Sequence, residues 1–423
     1  MWIASAIVVD VPLSSPHTAA IQLAGSRPVV VLLRRGAETA RSESTPTELV
    51  RTSDLVAGLL IGPSSRHMAP EILAECRRIL AREPSSCVIF VQRRNPPRVI
   101  YREDPPIDAI LAPAATFHDA VSRSRDPEHA VYVVTSAVLR GASVRQLLVR
   151  TIGAPQLPEP PARVAPITTL VPHRGPFENF RVCMHYIAHQ WARCEKTQVY
   201  FDEDLSDQHA EWLARNPAIE AYQSSRPGAG PYPGRHYLAS RASTPWIMFQ
   251  DSDDAPCADR VARLSAAFSD GDLLGSHEVR LDDFREIIYP VRYPLDVNDA
   301  LVREAGHALL HPTSMVRKSA YVQSGGFSTH RVMGSDTQFL LRAHFSMQIR
   351  NLDEFLYVKR DRAGSLTRSP RTMLGCPERL RLQQLWVDAF RRTDDGQAIL
   401  EQTALAAEHH GDVAIERIKQ GDR

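Results

Sequence analysis

Two aspartates two positions apart, Asp251 and Asp253, are the residues of this 423-residue chain whose type and spacing best suit chemistry. They belong to the tetrad Asp251-Ser252-Asp253-Asp254, which follows an apolar segment of strand length. Carboxylates at positions i and i+2 just past a strand suit a hard divalent cation such as Mg²⁺ or Mn²⁺. Such an ion can neutralise a diphosphate leaving group. The same tetrad also suits a helix cap or a solvated loop, so the surrounding sequence is needed to distinguish a metal site from these.

Further elements lie on both sides of the tetrad in a fixed order. Arg235 lies sixteen positions before Asp251, after a flexible glycine- and proline-rich segment at 228–234. Downstream come Gly325-Gly326-Phe327 and then Gly334-Ser335-Asp336, where a helix is predicted to begin. The chain therefore offers a basic residue, an acidic loop, a glycine turn and a further acid in series.

With these residues in order, the chain resembles family-2 glycosyltransferases of the GT-A fold. In that family a first strand ends in a Pro-x-x-Asn-like turn, a second in an acidic signature, and an Ala-Arg-Asn precedes a Leu-Asp-x-Asp-Asp metal motif. The matching segments here are Val171-Pro172-His173-Arg174, Asp202-Glu203-Asp204-Leu205-Ser206-Asp207, Gly234-Arg235-His236 and the tetrad.

The resemblance continues past the tetrad and covers about residues 165 to 370. The family's acceptor-side strand and glycine turn are matched by Thr313-Ser314-Met315-Val316-Arg317-Lys318 and Gly325-Gly326-Phe327. Its Glu-Asp pair falls at Ser335-Asp336, and its late basic element falls at Lys359 to Thr367. The ordered series is more specific than any one of its members.

The resemblance implies an inverting glycosyltransferase that uses a nucleotide-diphosphate sugar. The donor would be UDP-linked, for example UDP-GlcNAc or UDP-glucose, and the acceptor a small molecule, a glycan or a carrier-bound nucleophile. Asp336 would act as general base. Asp253, with Asp251, would bind Mn²⁺ or Mg²⁺.

The remaining site residues also follow from the resemblance. Asp202 and Glu203 would face the nucleobase, Arg235 the phosphate or base, and Arg360 with Arg362 would form a cationic lid over the diphosphate. The full set expected to bind the nucleotide sugar is Pro172, His173, Arg174, Asp202, Glu203, Arg235, Asp251, Ser252, Arg360 and Arg362. The set expected on the acceptor side is His311, Thr313, Gly325 and Gly326.

Departures from the family pattern concern the metal and the acceptor. Asp204 replaces a family glycine, His236 an asparagine, Ser335 a glutamate and Arg362 a late histidine. In place of a metal ligand, Arg362 would supply a fixed positive charge. We therefore expect weakened metal dependence without loss of catalysis.

Two other functions stay open at this point. A nucleotidyltransferase also places paired aspartates on a Rossmann-like sheet, but it usually has an early glycine-rich loop that this chain lacks. A non-catalytic scaffold or partner on a degenerate transferase fold would explain the departures. Such a protein would have little reason to keep Asp336 together with Asp251 and Asp253.

The elements that must position these residues form an α/β pattern. Beyond residue 166 we predict strands at Ile167–Val171, up to Phe201, at Trp246–Phe249 and at Ser314–Arg317. We predict helices at Phe177–Trp191, Arg260–Phe268 and Asp336–His344. Because ligands of open α/β sheets bind at the carboxyl ends of the strands, the tetrad is expected at that edge.

Four segments are expected along the chain. Residues 1–152 form a smaller α/β domain of unknown role, with strands at Ala6–Val11, Val29–Leu33, Leu55–Ile61, Cys87–Val91 and Val131–Val134 and a helix at Ala69–Arg82. Residues 153–166 are proline-rich and are predicted to be a linker. Residues 167–372 form the GT-A domain with a Rossmann-like mixed sheet, and 373–423 a helical extension.

Composition excludes several classes of protein. Fifty basic and 49 acidic residues give a net charge of +1, which argues against nucleic acid as a partner. The six cysteines form no C-x-x-C pair, so we expect reduced thiols in a cytoplasmic protein. No apolar segment reaches the length of a membrane span. The sequence leaves a homodimer open.

Overall fold

A computed structural model describes residues 5–11, 29–35, 55–61, 67–107, 109–141, 144–154, 164–396, 398–399 and 413–418. The first part of the chain contributes, in order, β1 (Ser5–Val11), β2 (Val29–Arg35), β3 (Leu55–Ile61), α1 (Ala69–Arg82), β4 (Ser86–Gln92), β5 (Arg102–Glu103), β6 (Ala109–Pro113), α2 (Ala114–Ser122), α3 (Pro127–Gly141) and β7 (Gln146–Ile152).

Six of these strands form a mixed sheet in the order β1-β2-β3-β6-β4-β7. Its outer pairs, β1 with β2 and β4 with β7, are parallel, whereas β3 and β6 run antiparallel to their neighbours. Helix α1 packs against β4 and buries Ile72, Cys76 and Ile79, whose spacing of three to four residues matches one face of a helix.

The second part supplies β8 (Val164–His173), α4 (Phe177–Ala188), β9 (Arg193–Phe201), α5 (Asp207–Arg215), β10 (Glu220–Ser224), α6 (Pro231–Arg241), β11 (Trp246–Phe249), β12 (Ala255–Pro256), α7 (Arg260–Ala266), β13 (Leu273–Asp282), β14 (Ile287–Arg292), α8 (Val297–Arg303), β15 (Met315–Arg317), α9 (Lys318–Gln323), α10 (Ser335–Ala343), β16 (Ile349–Asp361), α11 (Pro377–Arg392) and β17 (Ile415–Arg417).

These strands form the larger, 11-stranded mixed sheet in the order β12-β16-β13-β15-β11-β8-β9-β10-β17, with β14 beside β13 and β5 beside β14. The neighbours β11, β8, β9 and β10 are parallel, so their carboxyl ends meet at one edge. The predicted α/β architecture, with a smaller α/β layer, a large mixed sheet and a C-terminal helix, is confirmed.

The two sheets pack against each other through a shared apolar core. Helix α3 of the first part contacts α4 and β14 of the second, and Val138, Tyr186 and Val358 belong to one buried cluster. Buried ion pairs cross the same boundary: Arg292 donates to Asp104 at 2.7 Å and Arg150 donates to Asp259 at 2.7 Å.

Several predicted elements differ from the structure. The segment Val131–Val134 is not a strand but lies within α3, because its apolar residues continue into the helical series Ala130, Val134 and Val138. Strands β6 and β7 were not predicted. The strands at Leu55–Ile61 and Trp246–Phe249 are confirmed in full.

The expected linker and tail also differ. Most of the linker, residues 155–163, lies outside the described residues, but β8 already begins at Val164 and includes Pro166. The register of β8 against β9 shifts between Ala165 and Thr168, where the proline supplies no N–H to the ladder. In the tail, Ile415–Arg417 is a strand and not a helix, because the free edge of β10 pairs with it.

None of the helices in the described part of the chain combines the length and the apolar character that a membrane crossing requires.

Candidate active site

The carboxyl ends of β8, β9 and β11 bring the predicted nucleotide-binding segments together. Strand β8 pairs in parallel with both neighbours and places Arg174 beyond His173, while β9 and β11 lead into Asp202 and Asp251. The backbone N–H of Asp202 donates to the carbonyl of His173 at 2.9 Å, which fixes the two loops against each other. The edge expected from sheet topology is therefore the place where these acids meet.

Each of the two aspartates predicted to bind a metal is ion-paired with an arginine. Arg235 donates to Oδ1 of Asp251, and Arg362 donates from Nε and Nη2 to Oδ2 of Asp253 at 2.9 Å. The Asp251 side chain is 30% exposed and that of Asp253 21%, so both can be reached from solvent. The other oxygens, Oδ2 of Asp251 and Oδ1 of Asp253, lie outside these ion pairs.

Asp254 has a structural position beneath the loop. It is buried, and it accepts hydrogen bonds from the Tyr357 hydroxyl at 2.9 Å and from the backbone N–H of Arg360 at 2.8 Å. Burial, and then the neighbouring Asp253, raise the pKa of Asp254 well above its ordinary value. The Tyr357 hydroxyl also accepts from the N–H of Asp251 at 3.2 Å, so one tyrosine holds both ends of the tetrad.

The positions of Arg235 and Arg360 do not fit the phosphate-binding roles expected of them. Arg235 is buried under Asp251 with its guanidinium near the Tyr232 ring, so it is placed to hold the acidic loop and not to meet a phosphate in solvent. Arg360 pairs with Asp283 at 2.6 Å and lines a cleft together with Arg140, Asp253 and Asp254. Of the expected cationic lid, Arg362 is the member whose guanidinium pairs with a tetrad carboxylate.

The loop before α6 is organised by Asp202. Its carboxylate accepts from the backbone N–H groups of Ala229 and Gly230, both at 2.9 Å, and burial raises its pKa. Gly228 and Gly230 have φ values of +84° and +94°, which glycine adopts readily. Asp202 thereby shapes the flexible segment predicted from its glycines, and exposed Arg174 lies 4.0 Å from its Oδ2.

His173 and Ser252 lie beneath the surface that a nucleotide could contact. Both are buried, and Nδ1 of His173 lies 2.8 Å from Oγ of Ser252. Burial, and then neighbouring His209, lower the pKa of His173 to about 3. Pro172 is buried within β8, and Glu203 accepts from the N–H of Gly175 at 3.0 Å. These residues shape the floor of the site.

Asp336 lies in the first turn of α10, but it is not the cap of that helix. The N-cap is Gly334, in the left-handed conformation. Oδ1 of Asp336 accepts from the Tyr232 hydroxyl at 3.0 Å and from the N–H of Thr337 at 3.0 Å. Burial raises the pKa of Asp336, but His307, His311, Arg379 and Tyr232 together outweigh it, so the net shift is downward and the carboxyl is ionised at neutral pH.

Helix α6 connects Asp336 with the acidic loop. Tyr232 in its first turn bonds to Asp336, and Arg235, one turn later, bonds to Asp251. Gly234 lets this helix lie close to β9, since a Cβ there would come within 2.0 Å of the Tyr200 ring. The acid that was predicted to act as base and the acid at the tetrad thus belong to one connected network.

The residues expected on the acceptor side form a buried layer. His311 is packed among Phe249, Phe327 and Phe339, and Thr313 donates to the carbonyl of Leu310 at 2.7 Å. Neither side chain faces solvent, so neither is placed to contact an acceptor directly. Gly325 and Gly326 have φ values of +79° and +61°, as the predicted glycine turn requires.

Sequence patterns did not identify Tyr232, Tyr357, His209 or Arg379. Tyr357 could have been found from strand alternation, since it shares a face of β16 with Lys359 and Asp361. Arg379 lies on α11, in the segment predicted only as a helical extension. Among the described residues, one set of three metal-ligating groups lies close enough to share an ion, and it consists of His173, Glu203 and His209.

No protein-family model and no curated protein sequence matches the chain. Among solved structures it is similar to the protein TarS of S. aureus. The TarS 1-349 structure in complex with UDP is 16% identical with a TM-score of 0.39, over 53% of this chain and 64% of that chain, which is less than two thirds. A second TarS 1-349 structure is 15% identical with a TM-score of 0.41, over 56% of this chain and 70% of that chain. The TarS 1-349 complex with UDP-GlcNAc is 16% identical with a TM-score of 0.37, over 47% of this chain and 59% of that chain. What this chain does is therefore inferred from its own residues.

Proposed function

We propose that the chain transfers a sugar from a nucleotide-diphosphate sugar to an acceptor nucleophile with inversion at the anomeric carbon. The observation that carries the proposal is the network across α6, in which Tyr232 holds Asp336 and Arg235 holds Asp251. It couples an ionised carboxylate to an acidic loop at the carboxyl edge of a parallel strand set. A base and a leaving-group site side by side are what such a transfer needs.

Asp336 is the proposed general base. Its Oδ1 is held by Tyr232 and Thr337, which leaves Oδ2 to accept a proton. As the acceptor atom bonds to the anomeric carbon, the bond from that carbon to the diphosphate oxygen breaks and its electron pair leaves with the diphosphate. The acceptor's proton passes to Asp336. Attack on the face opposite the leaving group inverts the centre.

The leaving diphosphate is proposed to lie against the tetrad and Arg362, with exposed Arg174 at the same edge. Guanidinium groups match phosphate oxygens in pairs. The residues fit a divalent ion as well, because Oδ2 of Asp251 and Oδ1 of Asp253 lie outside the ion pairs that hold the other oxygens. Bound there, Mn²⁺ or Mg²⁺ would add charge neutralisation at the diphosphate.

The proposed donor is UDP-linked, as the family resemblance implies, with UDP-GlcNAc and UDP-glucose first in order of test. The experiment measures nucleoside diphosphate release from a panel of UDP-, GDP- and dTDP-sugars, with Mn²⁺, Mg²⁺ or EDTA. Slow release from one UDP-sugar without an acceptor is the expected result. Absence of release from the whole panel, with an acceptor mixture included, would contradict the proposal.

A second candidate is a non-catalytic protein that binds a nucleotide. One observation favours it: the two tetrad carboxylates that would bind a metal are already neutralised by Arg235 and Arg362. A non-catalytic protein of this kind should bind UDP saturably but release no diphosphate from any nucleotide sugar. Calorimetric binding on the same panel separates it from the enzyme.

A further inference from the structure

Two histidines and a glutamate from three different elements meet beside the acidic loop. His173 ends β8, Glu203 follows β9, and His209 lies in the first turn of α5. The ligand atoms of these three residues, called the histidine cluster below, all lie within 4.8 Å of one another. The role proposed above for the site uses none of these atoms.

The spacing within the histidine cluster is that of metal ligands. Nε2 of His173 lies 3.0 Å from Nε2 of His209 and 3.3 Å from Oε1 of Glu203. Ligands about 2.0 to 2.1 Å from a tetrahedral Zn²⁺ lie about 3.3 Å from one another. These two pairs already have the tetrahedral spacing, and the third pair, His209 with Glu203, lies within 4.8 Å, so Glu203 would have to approach His209 by up to about 1.5 Å for all three atoms to bind one ion.

Both imidazoles are oriented by a serine at the nitrogen that faces away from the cluster. Nδ1 of His173 lies 2.8 Å from Oγ of Ser252, and Nδ1 of His209 lies 2.7 Å from Oγ of Ser206. Metal-ligating histidines commonly have such a hydrogen bond at the second nitrogen, because it fixes the tautomer and the ring plane. Here it turns both Nε2 atoms toward the same point.

The two Nε2 atoms, 3.0 Å apart, need either a cation or a proton between them. If both rings are protonated at Nδ1, two lone pairs face each other, which is unfavourable unless a cation lies between them. The alternative is a chain in which one Nε2–H donates to the other ring. The carboxylate of Glu203 at the same point favours the cation, since it adds a negative ligand to two neutral ones.

The surroundings suit a bound ion that solvent can reach from one side. Phe177, Phe180 and Phe201 pack around the two rings, and both histidines are buried. The Glu203 side chain is 25% exposed, which provides an entry path and a place for water as fourth ligand. Nitrogen and carboxylate ligands in this number are typical of Zn²⁺.

We propose that the histidine cluster binds Zn²⁺, at a site separate from the one proposed at Asp251 and Asp253. The ion would tie together the ends of β8 and β9 and the start of α5. Through Ser252, which lies between the two tetrad aspartates and contacts His173, it would also fix the acidic loop. Its role is to hold the loops in place.

The test is metal binding by the intact chain. Protein stripped with a chelator is titrated with Co²⁺, whose visible absorption reports tetrahedral coordination, and Zn²⁺ is then added in competition. We expect one tetrahedrally coordinated ion per chain, and at least a tenfold loss of affinity for that ion in His209→Gln and in Glu203→Gln. His189→Gln, a partly buried histidine outside the cluster, should bind Co²⁺ as the wild type does, and Asp253→Ala, at the other proposed site, should keep the tetrahedral absorption of the wild type.

Two results would overturn the proposal. One is a wild-type protein that binds no Co²⁺ or Zn²⁺, which would assign the histidines to a hydrogen-bonded chain. The other is equal binding by wild type and His209→Gln, which would place the ion elsewhere. If the variants do not fold, X-ray absorption of zinc-loaded wild type decides instead. A zinc ion coordinated by two imidazoles and otherwise only by oxygen atoms would support the site, and any sulfur ligand would contradict it.

Discussion

At Asp251 and Asp253, arginines occupy one oxygen of each carboxylate that the sequence assigned to a metal. Arg235 is buried, whereas its partner Asp251 is partly exposed; partial burial and neighbouring Asp253 raise the pKa of Asp251, against the effect of Arg235. The Arg362 side chain is more exposed than that of Arg235, at 15% against 5%. An incoming ion would therefore compete with Arg362 more readily than with Arg235.

Replacing Arg362 by histidine should make turnover depend on metal. We expect the wild type to keep a substantial part of its activity in EDTA, because Arg362 already supplies positive charge beside Asp253. Arg362→His removes that fixed charge and adds a ligand, so activity should fall at least tenfold in EDTA and return with Mn²⁺. Arg360→His, whose arginine pairs with Asp283, is the matched control and should show no new dependence.

The buried His311 should make folding sensitive to acid. Burial, and then Arg235, lower its pKa from 6.5 to about 3. Between these values the unfolded chain takes up a proton that the folded chain does not, so stability is fully present above pH 6.5 and falls as the pH is lowered. The loss is about 2 kcal/mol at about pH 5. Chemical denaturation at about pH 7 and about pH 5 measures it.

His311→Leu should remove that part of the pH dependence. His67→Gln, at an exposed histidine, should leave the difference between the two pH values as it is in the wild type. An unchanged difference in His311→Leu would mean that the pKa of His311 is the same in the folded and unfolded chain, and that burial does not lower it.

At the scale of elements, the left-handed turn before α10 aims Asp336. Gly334 has φ +79°, and a Cβ there would come within 2.7 Å of the Trp386 ring of α11. Trp386 is itself buried, so it cannot move aside without cost. The C-terminal helix thereby takes part in positioning the proposed base.

Gly334→Ala should reduce turnover at least tenfold and lower stability by more than about 1 kcal/mol, since it adds a clash to the cost of the left-handed conformation. Gly375→Ala is the control that separates the two effects. Gly375 has φ +83°, and no atom lies within 4 Å of the position that a Cβ would take there. Gly375→Ala therefore has the cost of the left-handed conformation without a clash. Equal activity in both variants would show that this turn does not position Asp336. Thermal unfolding and initial rates measure both effects.

Elements with their own local signal could be predicted from the sequence, and contacts between distant segments could not. The apolar run Trp246–Phe249 leads through Gln250 into the acids, and this local pattern alone predicts a strand and its loop. By contrast, Tyr232 and Asp336 lie 104 positions apart in sequence, and their hydrogen bond depends on how α6 and α10 pack. The strand at Ile415–Arg417 was missed for the same reason, because its partner β10 lies far away in the chain.

At the scale of the whole molecule, the two sheets share an interior and should unfold together. Strand β5 of the first part extends the second sheet by pairing with β14, and Asp104 beside it accepts from buried Arg292. Removing one partner of a buried ion pair leaves an uncompensated charge. The ion pair therefore joins the two parts of the chain energetically.

Asp104→Ala should lower the free energy of unfolding by about 3 to 5 kcal/mol in a single transition that includes both sheets. Glu286→Gln is the control, since its pair with Arg125 also joins the two parts but is exposed. It should cost less than about 1 kcal/mol. Two separate transitions in the wild type would mean that the parts are independent. Denaturant melts followed by tryptophan fluorescence and circular dichroism give the comparison.

Whether Asp336 is the general base is tested by the rate of diphosphate release by Asp336→Asn, compared with the affinity of this variant for the nucleotide sugar. The matched control is Asp299→Asn, an exposed aspartate in the first turn of α8. If Asp336 is the base, its variant should lose turnover by at least about a hundredfold, the range that general-base catalysis supplies, while binding the donor within a few-fold of wild type. Near-normal turnover by Asp336→Asn would show that Asp336 is not the base.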